Sequence, residues 1–284
     1  RLLREQTEIA AKLADGRLEA YPEWMLRRWR KRYPKDKLRG MLEYFAAPAP
    51  LWARINQLKP AEADGPPGGN LIELGSYDRG QWLKWMESGR ISIQDRHSYQ
   101  VALSIEPMKG EQILDACAGH GGKSSAMVEA APGCKLFVHD VSKERLLQLG
   151  QNFSRLGLPQ PETLTDLRGA VDRGLTFDAI LIDAPCSGMG TLGRKPEIRW
   201  RLKPADLGRL AAKQRAILEE WLPLLKVGGR AIYAVCSLEP EEGRENLAAF
   251  LAEHSAFHLE EERELFPGPG AGDGFYVARL ARRK

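Results

Sequence analysis

The chain has 284 residues, of which 43% are hydrophobic and 28% charged, and its formal net charge is +4. That length accommodates one large α/β domain and a smaller one, and no apolar run is long enough to span a bilayer. Four cysteines without metal-ligand spacing argue against a disulfide scaffold and a metal site. No secretory leader pattern is visible either, and because the cysteines do not suggest disulfides, the expected compartment is a reducing cytoplasm.

Basic residues are concentrated in two segments. Residues 27–39 contain eight basic residues and one acid, and residues 194–215 contain eight and two, whereas residues 239–264 are rich in acids. This uneven charge is typical of a protein that binds a polyanion, although solvated helix faces account for it equally well.

The first part of the chain is predicted to be helical, from residue 1 to about 45, with a segment rich in Trp and Arg starting at Pro22. Residues 51–59 (LWARINQLK) are predicted to form a strand. The Pro- and Gly-rich residues 63–70 are predicted to form a loop.

From about Gln112 strands and helices alternate. The predicted strands are residues 112–118, 136–140, 162–166, 177–185 and 230–237. The predicted helices are residues 121–131, 142–157 and 204–225, the last of them ended by Gly228-Gly229. This pattern predicts an α/β fold with a doubly wound, parallel, Rossmann-like sheet, which binds ligands at the carboxyl ends of its strands.

A glycine-rich turn, DACAGHGGK at residues 115–123, follows the first of these strands. Glycines between a strand and a helix let the backbone approach a ligand, with helix N–H groups facing it. The spacing is not that of the nicotinamide fingerprint, and the absence of Walker spacing disfavours ATP hydrolysis. We assign no chemistry to His120.

Acids end three successive strands, namely Asp115, Asp140 and Asp166. An acid at such a position accepts hydrogen bonds from ribose hydroxyls, and Asp166 is placed to contact an adenine amino group. Each acid alone is equally well explained as a loop or helix cap, but three in succession favour a cofactor site. Lys123 is predicted to pair with a cofactor carboxylate or an active-site acid, unless it is a surface lysine at a helix start.

Two cysteines follow strand ends as well. Cys186 comes after the strand that ends near Asp183, and Cys236 ends the next strand. One such cysteine is more often buried and inert, but two above one pocket indicate chemistry. Methylation of a pyrimidine at C5 requires a thiolate to add at C6, and a second thiol assists its later expulsion. Asp183 is placed to hydrogen-bond the N3/N4 edge of a cytosine.

The motifs DACAGHGGKS, DAPCSGMGTLGRKPEIRWR and YAVCSLEPEEGRENLAAFL resemble those of the Sun (Fmu) family of RNA cytosine-5 methyltransferases. PEWMLRRW, ISIQDRHSYQ and GDGFYVARL match that family too, so the resemblance covers roughly residues 20–284. It implies S-adenosylmethionine as cofactor and RNA, most of all ribosomal RNA, as partner. We expect a monomer that binds neither a membrane nor a metal.

The resemblance also implies a role for each residue of the catalytic set. Cys236 is the nucleophile and Cys186 promotes product release, with Asp183 and Lys123 beside them. DNA cytosine-5 methyltransferases lack the second cysteine, so Cys236 favours RNA over DNA. The residues predicted to contact the cofactor are Asp115, Cys117, Ala118, Gly119, Gly121, Gly122, Lys123, Asp140, Arg145, Asp166, Asp183 and Pro185.

The target base must leave any stack to reach the thiols. The residues predicted to hold the RNA strand there are Arg194, Lys195, Arg199 and Trp200. Residues 28–31 are placed to bind phosphates more distantly, while at least half of the tryptophans are expected in the core. By the resemblance, residues 1–95 form a helical segment and a small α+β RNA-binding domain, and residues 96–284 form the methyltransferase domain. Ribosomal relatives usually carry an extra helical domain, which these 284 residues are expected to lack, either because it was cut away or because this is a shorter form.

The chain departs from the family pattern at Gly119-His120, at Ala234-Val235 and at Gly193-Arg194. These departures suggest altered cofactor affinity, a changed substrate or a slower enzyme. Two alternatives remain: the same chemistry on transfer RNA, and a catalytically idle RNA-binding factor for ribosome assembly. The intact pair of cysteines argues against the second, because a binding module has no use for both thiols.

Overall fold

The computed structural model of the chain describes residues 20–60, 64–268 and 270–283. The helix predicted before residue 20 and the first residue of the loop predicted at 63 lie outside these ranges. Within the ranges, no helix is both long and apolar enough to cross a membrane.

Two short helices come first, α1 (Glu23–Arg32) and α2 (Lys35–Ala46). Each begins directly after a proline, Pro22 or Pro34, whose fixed φ favours the start of a helix. Their apolar faces share one core with Met189 and its neighbours in the loop that follows Cys186. The two helices therefore support that loop.

A small antiparallel sheet follows, with strands β1 (Trp52–Ile55), β2 (Leu71–Glu73) and β3 (Ile91–Ile93) in the order β2-β1-β3. Helix α3 (Arg79–Glu87) connects β2 to β3. The strand predicted for residues 51–59 is shorter than expected. It ends at Ile55 because Asn56 starts a turn, in which its side chain accepts a hydrogen bond from the Leu58 amide at 3.0 Å.

The remaining elements belong to a larger unit. Its helices are α4 (Arg96–Leu103), α5 (Gly122–Ala130), α6 (Lys143–Leu156), α7 (Leu167–Asp172), α8 (Ile198–Arg201), α9 (Pro204–Trp221) and α10 (Arg244–Glu253). Its strands are β4 (Gln112–Asp115), β5 (Lys135–Val138), β6 (Glu162–Thr163), β7 (Phe177–Asp183), β8 (Leu225–Val235), β9 (Phe257–Leu265) and β10 (Phe275–Arg282).

These strands form one sheet in the order β6-β5-β4-β7-β8-β10-β9. The five strands β4 to β8 run parallel to one another, whereas β10 is antiparallel to both β8 and β9. The predicted α/β class and Rossmann-like sheet are confirmed. The five strands predicted between residues 112 and 237 are parallel as expected, and β9 and β10, which the prediction did not include, add an antiparallel edge to the sheet.

The central strands are buried on both faces, as their near-continuous apolar sequences predict. Ile180 on β7 packs into one core with Trp221 of α9, on the face that α9 and α10 cover. Leu181, the next residue, packs into the other core with Met127 of α5, on the face that α5 and α6 cover. The sheet is therefore wound on both sides by helices.

Strand β8 begins earlier than predicted, at Leu225, so the pair Gly228-Gly229 lies inside the strand. Gly228 has a φ of +74°, and the register with β7 shifts between Phe177 and Ala179. The glycines thus form an irregularity of the strand rather than the end of α9. Helix α9 stops at Trp221, where a tighter turn that contains Pro223 begins.

One buried side chain joins the two sheets. Arg54 on β1 is 1% exposed and reaches α5, where it donates to the two carboxylate oxygens of Glu129 at 2.8 and 2.9 Å. It also donates to the Ser125 hydroxyl at 2.9 Å and to the Gly122 carbonyl at 3.0 Å. The small sheet therefore holds the first turn of α5, which follows the glycine-rich turn.

Candidate active site

Three parallel strands end at one edge of the large sheet, where a cavity of about 520 Å³ opens. β4 ends at Asp115, β7 at Asp183, and β8 directly before Cys236. β7 lies between β4 and β8 in the sheet, so the two cysteines follow neighbouring strands. β4 is adjacent to β7 but not to β8. The topology thus gathers three of the predicted motifs at one place.

Most predicted site residues line this cavity, from the turn after β4, the ends of β7 and β8, and the loop after Cys186. They are Asp115, Cys117, Ala118, Gly119, Gly122, Lys123, Asp183, Arg194, Lys195 and Cys236. Residues from the approach to α4 and to β10 complete the wall, among them Asp95, Asp273 and Phe275.

The glycine-rich turn between β4 and α5 forms one wall. Gly119 and Gly121 have φ values of +54° and +82°, a region that favours glycine. A Cβ at Gly121 would lie 2.7 Å from Cγ of Leu149 on α6, so the turn packs closely against that helix. This close turn brings the N-terminal amides of α5 to the cavity, where a polar ligand can accept from them.

Two of the three strand-end acids shape loops instead of lining the cavity. Asp140 accepts hydrogen bonds from the Gly119 amide at 2.9 Å and the Ser142 amide at 2.8 Å, and Arg145 lies 3.8 Å from it. Asp166 caps α7 and is exposed. In this structure Asp140 therefore caps a loop and Asp166 caps a helix. The cofactor contacts expected of Asp140, Arg145 and Asp166 stay predictions.

Asp115, at the end of β4, is enclosed. It accepts hydrogen bonds from the Ser124 hydroxyl at 2.6 Å and from the Cys117 amide at 3.3 Å. Burial raises the pKa of Asp115 to about 6, although the bond from Ser124 opposes the shift.

This raised pKa predicts a pH dependence of the free energy of unfolding. Between pH 3.8 and about 6 the unfolded chain has lost the Asp115 proton while the folded protein retains it, so stability falls as the pH rises through this window. In Asp115→Asn, whose amide oxygen still accepts hydrogen bonds, the decline is expected to shrink by up to about 3 kcal/mol. Urea unfolding of both proteins at pH 4 and pH 7 measures the difference.

Burial also raises the pKa of Asp273 to about 6, which adds a decline of the same sign. The variant Asp273→Asn therefore separates the two contributions, and the double variant should lose both. A decline of the same size in wild type and Asp115→Asn would contradict the effect of burial at Asp115.

Lys123 and Asp183 form an ion pair at the cavity floor, with Lys123 Nζ 2.6 Å from Asp183 Oδ2. Burial alone would lower the pKa of Lys123, but the Asp183 carboxylate raises it, and Cys236 acts in the same direction. The lysine therefore stays charged beside Cys236, and the pair presents both signs of charge to a ligand.

The two thiols meet at this end of the sheet. Sγ of Cys186 lies 3.1 Å from Sγ of Cys236, and both residues are partly buried. The hydrogen bond with Cys236 raises the pKa of Cys186, and burial and the charge of Glu242 act in the same direction. Cys236 lines the cavity, so it is the thiol that a ligand in the cavity meets first.

Arg194 is held in a cluster of acids that the sequence did not reveal. It donates to Asp273 and to Asp95, each at 2.9 Å, and to the Pro50 carbonyl at 3.0 Å. The motifs ISIQDRHSYQ and GDGFYVARL contain both acids, but no local signal shows that distant segments meet at one arginine. Lys195, next to it, is exposed at the cavity.

The structure corrects the expected position of Arg199. Its side chain is 1% exposed, donates to the Phe45 carbonyl at 3.1 Å and lies 4.4 Å from the centre of the Tyr21 ring. It therefore points into the core around α1 and α2, away from a strand of RNA. Trp200 is 65% exposed but is not part of the cavity wall.

Among the described residues, no group of three or more His, Cys, Asp or Glu side chains is arranged to hold a metal ion.

Comparison with known proteins agrees with this geometry. The sequence model described as 16S rRNA methyltransferase RsmB/F matches residues 102–281. A second model, described as the ferredoxin-like domain of RsmF/B-like methyltransferases, matches residues 21–64.

Individual relatives extend these matches. Ribosomal RNA small subunit methyltransferase B of Enterobacter sp. (strain 638) is 34% identical over 303 residues, covering 98% of this chain and 71% of the relative. The structure titled "Crystal Structure of PH0851" has a TM-score of 0.81 at 24% identity, over 92% of this chain and 66% of that one, a likeness of fold. NSun6 from Pyrococcus horikoshii, solved with SFG, has a TM-score of 0.63 at 27% identity, over 71% of this chain and 56% of that one.

The fold and the site define a Rossmann-like methyltransferase whose methyl donor is S-adenosylmethionine. The family is equally clear: the chain belongs to the RsmB/F family of 16S rRNA methyltransferases, which confirms the resemblance of its motifs.

The cavity fits this donor. Its volume lies within the range of small-molecule sites, and the glycine-rich turn offers helix amides without side chains in the way. Asp115, Asp183 and Lys123 supply charged groups on the same wall.

Proposed function

We propose that this chain transfers a methyl group to C5 of a cytosine in RNA, with Cys236 as the attacking thiol and Cys186 as the thiol that helps release the product. The observation that carries the proposal is the pair of sulfur atoms 3.1 Å apart beside the Lys123–Asp183 ion pair. C5 of a pyrimidine is a weak nucleophile until a thiolate adds at C6, and a site with two thiols suits addition and later expulsion.

Each side chain has a place in this scheme. The ammonium group of Lys123, close to Cys236, favours the thiolate electrostatically. The thiolate bonds to C6, which makes C5 nucleophilic, and bound S-adenosylmethionine would supply the methyl group for C5 and leave as S-adenosylhomocysteine. When a base removes the C5 proton, the electrons of the C5–H bond restore the C5–C6 double bond, and the C6–Sγ bond breaks with its electron pair returning to sulfur as the thiolate. Asp183 is placed to hold the N3/N4 edge of the cytosine in the meantime.

Exposed basic side chains near the cavity and on α1 are candidates for contacts with the RNA strand. Lys195 is exposed at the cavity, and Arg30 and Lys31 of α1 are exposed as well, so these three are our candidates for phosphate contacts. Arg28 is less available, because it pairs with Glu239 at 2.7 Å and with Glu241. We keep the division at residues 95 and 96 between the small RNA-binding domain and the methyltransferase domain.

Ribosomal RNA is the substrate we favour, since the curated relatives are named for the small ribosomal subunit and the matching model for 16S rRNA. Transfer RNA is the alternative with the same chemistry. A monomer in the cytoplasm completes the proposal. A factor that only binds RNA remains the competing class, and the paired thiols at the cavity argue against it.

In-vitro transcripts of 16S rRNA and of tRNA, incubated with methyl-labelled S-adenosylmethionine, test the proposal. We expect label in 16S rRNA, recovered as 5-methylcytidine after digestion to nucleosides. Asp183→Asn keeps the shape of the side chain but loses its charge, and it should lower the rate about 100-fold. Label in tRNA but not in 16S rRNA would show that tRNA is the substrate. Label in any nucleoside other than 5-methylcytidine would refute the proposed chemistry.

A further inference from the structure

A buried carboxylate lies behind the two thiols. Glu242, between β8 and α10, is 0% exposed. It accepts hydrogen bonds from the Ser187 amide at 2.7 Å, the Ser187 hydroxyl at 2.5 Å and the Gln214 side-chain amide at 3.1 Å. All three groups are donors, so both carboxylate oxygens of Glu242 act as acceptors.

These contacts hold both neighbours of Cys186. The side-chain amide of Gln214 on α9 donates to the Pro185 carbonyl at 3.1 Å as well as to Glu242. The Ser187 hydroxyl in turn lies 3.2 Å from the hydroxyl of Ser237, the residue directly after Cys236. The two cysteine loops are therefore tied to each other on the side away from the cavity, and this network sets the separation of the thiols.

The charges on the two sides of the thiol pair are opposite. Lys123 interacts with Cys236, whereas Glu242 interacts with Cys186. Tyr233 on β8 also interacts with Cys186, and burial raises the pKa of Tyr233, so it stays neutral. Because a negative charge disfavours a thiolate, Glu242 opposes ionisation of Cys186.

We propose that Glu242 is a positioning residue that clamps the Cys186 loop against Cys236 and keeps the Cys186 thiol protonated. Cys236, which lines the cavity, is then the thiol that attacks. The assignment of attack and release rests on the proposed function, whereas the clamp and the charge polarity are properties of the protein alone.

Alkylation with iodoacetamide, followed peptide by peptide in a mass spectrometer, tests this without RNA. Cys186 is monitored across pH in the Cys236→Ala background, with and without Glu242→Gln. The glutamine retains size and an acceptor oxygen but removes the charge, so we expect the midpoint of Cys186 alkylation to fall by about one pH unit. Glu241→Gln is the matched control, since Glu241 binds Arg28, and it should leave the midpoint in place.

Ser187→Ala separates position from charge, because it removes the hydroxyl contacts and leaves the Glu242 side chain in place. We expect it to lower kcat of methyl transfer about tenfold at a similar KM for RNA, with the midpoint of Cys186 unchanged. One further measurement uses the wild-type protein and so does not depend on the folding of any variant. In it, Cys236 should be alkylated about tenfold faster than Cys186 near neutral pH.

An unchanged midpoint in Glu242→Gln, an equal fall in Glu241→Gln, or faster alkylation of Cys186 than of Cys236 in wild type would each overturn the proposal. A methylated nucleoside other than 5-methylcytidine, found together with the expected midpoints, would count against the proposed function and leave the role of Glu242 standing.

Discussion

Cys186→Ala is expected to leave the enzyme covalently attached to its RNA. With S-adenosylmethionine and RNA present, Cys236 still attacks, but the thiol 3.1 Å away that assists release is missing. A protein–RNA species that survives denaturing electrophoresis should therefore accumulate. Cys236→Ala should form no such species and should lose methyl transfer by about 1,000-fold or more, as loss of a nucleophile does.

The double variant decides between the two thiols. If Cys236 attacks, the adduct seen with Cys186→Ala disappears when Cys236 is also replaced. Cys134→Ala serves as the control for loss of a thiol, because Cys134 is buried and lies outside the cavity wall. An adduct in the double variant, or one formed by Cys236→Ala alone, would refute the assignment.

Arg54→Ala is expected to cost about 3–5 kcal/mol of unfolding free energy, because it leaves the Glu129 carboxylate buried without its partner. Urea unfolding measures the loss. Arg168→Ala is the matched control, since it breaks a surface ion pair with Asp172 and should cost less than about 1 kcal/mol. The double variant Arg54→Met with Glu129→Leu should recover most of the loss, because no charge remains buried.

Equal losses from Arg54→Ala and Arg168→Ala would show that the buried pair contributes no more than a surface pair. The Arg54 variant has a second readout, since Arg54 also donates to the Gly122 carbonyl at the start of α5. Its affinity for S-adenosylmethionine, measured by calorimetry, should fall along with stability.

The parts of the site that the sequence predicts are those that a single segment contains. The glycine turn after β4 and the cysteines after β7 and β8 each follow an apolar strand, so the topology of a Rossmann-like sheet brings them to one edge. Asp95, Asp273 and Glu242 were missed because their roles depend on partners far away in the chain.

The errors have physical causes of the same kind. A glycine pair after a helical pattern is a stop signal, and its place inside β8 becomes visible only with β7 alongside it. Charge alone does not show which way a side chain points, so Arg199 was expected at the RNA although it packs over Tyr21. The cofactor contact of Asp166 stays a prediction, because a strand end and a helix cap are adjacent positions and the structure shows only the cap.

The position of β10 has a consequence for biosynthesis. It comes after β9 in the chain but lies between β8 and β9 in the sheet. While these residues are still being translated, β8 has one open edge and β9 has no partner, a state prone to wrong pairing. Phe275 and the preceding Asp273 also belong to the cavity wall. A nascent chain that carries both thiols but has not yet added β10 therefore lacks part of the cavity wall.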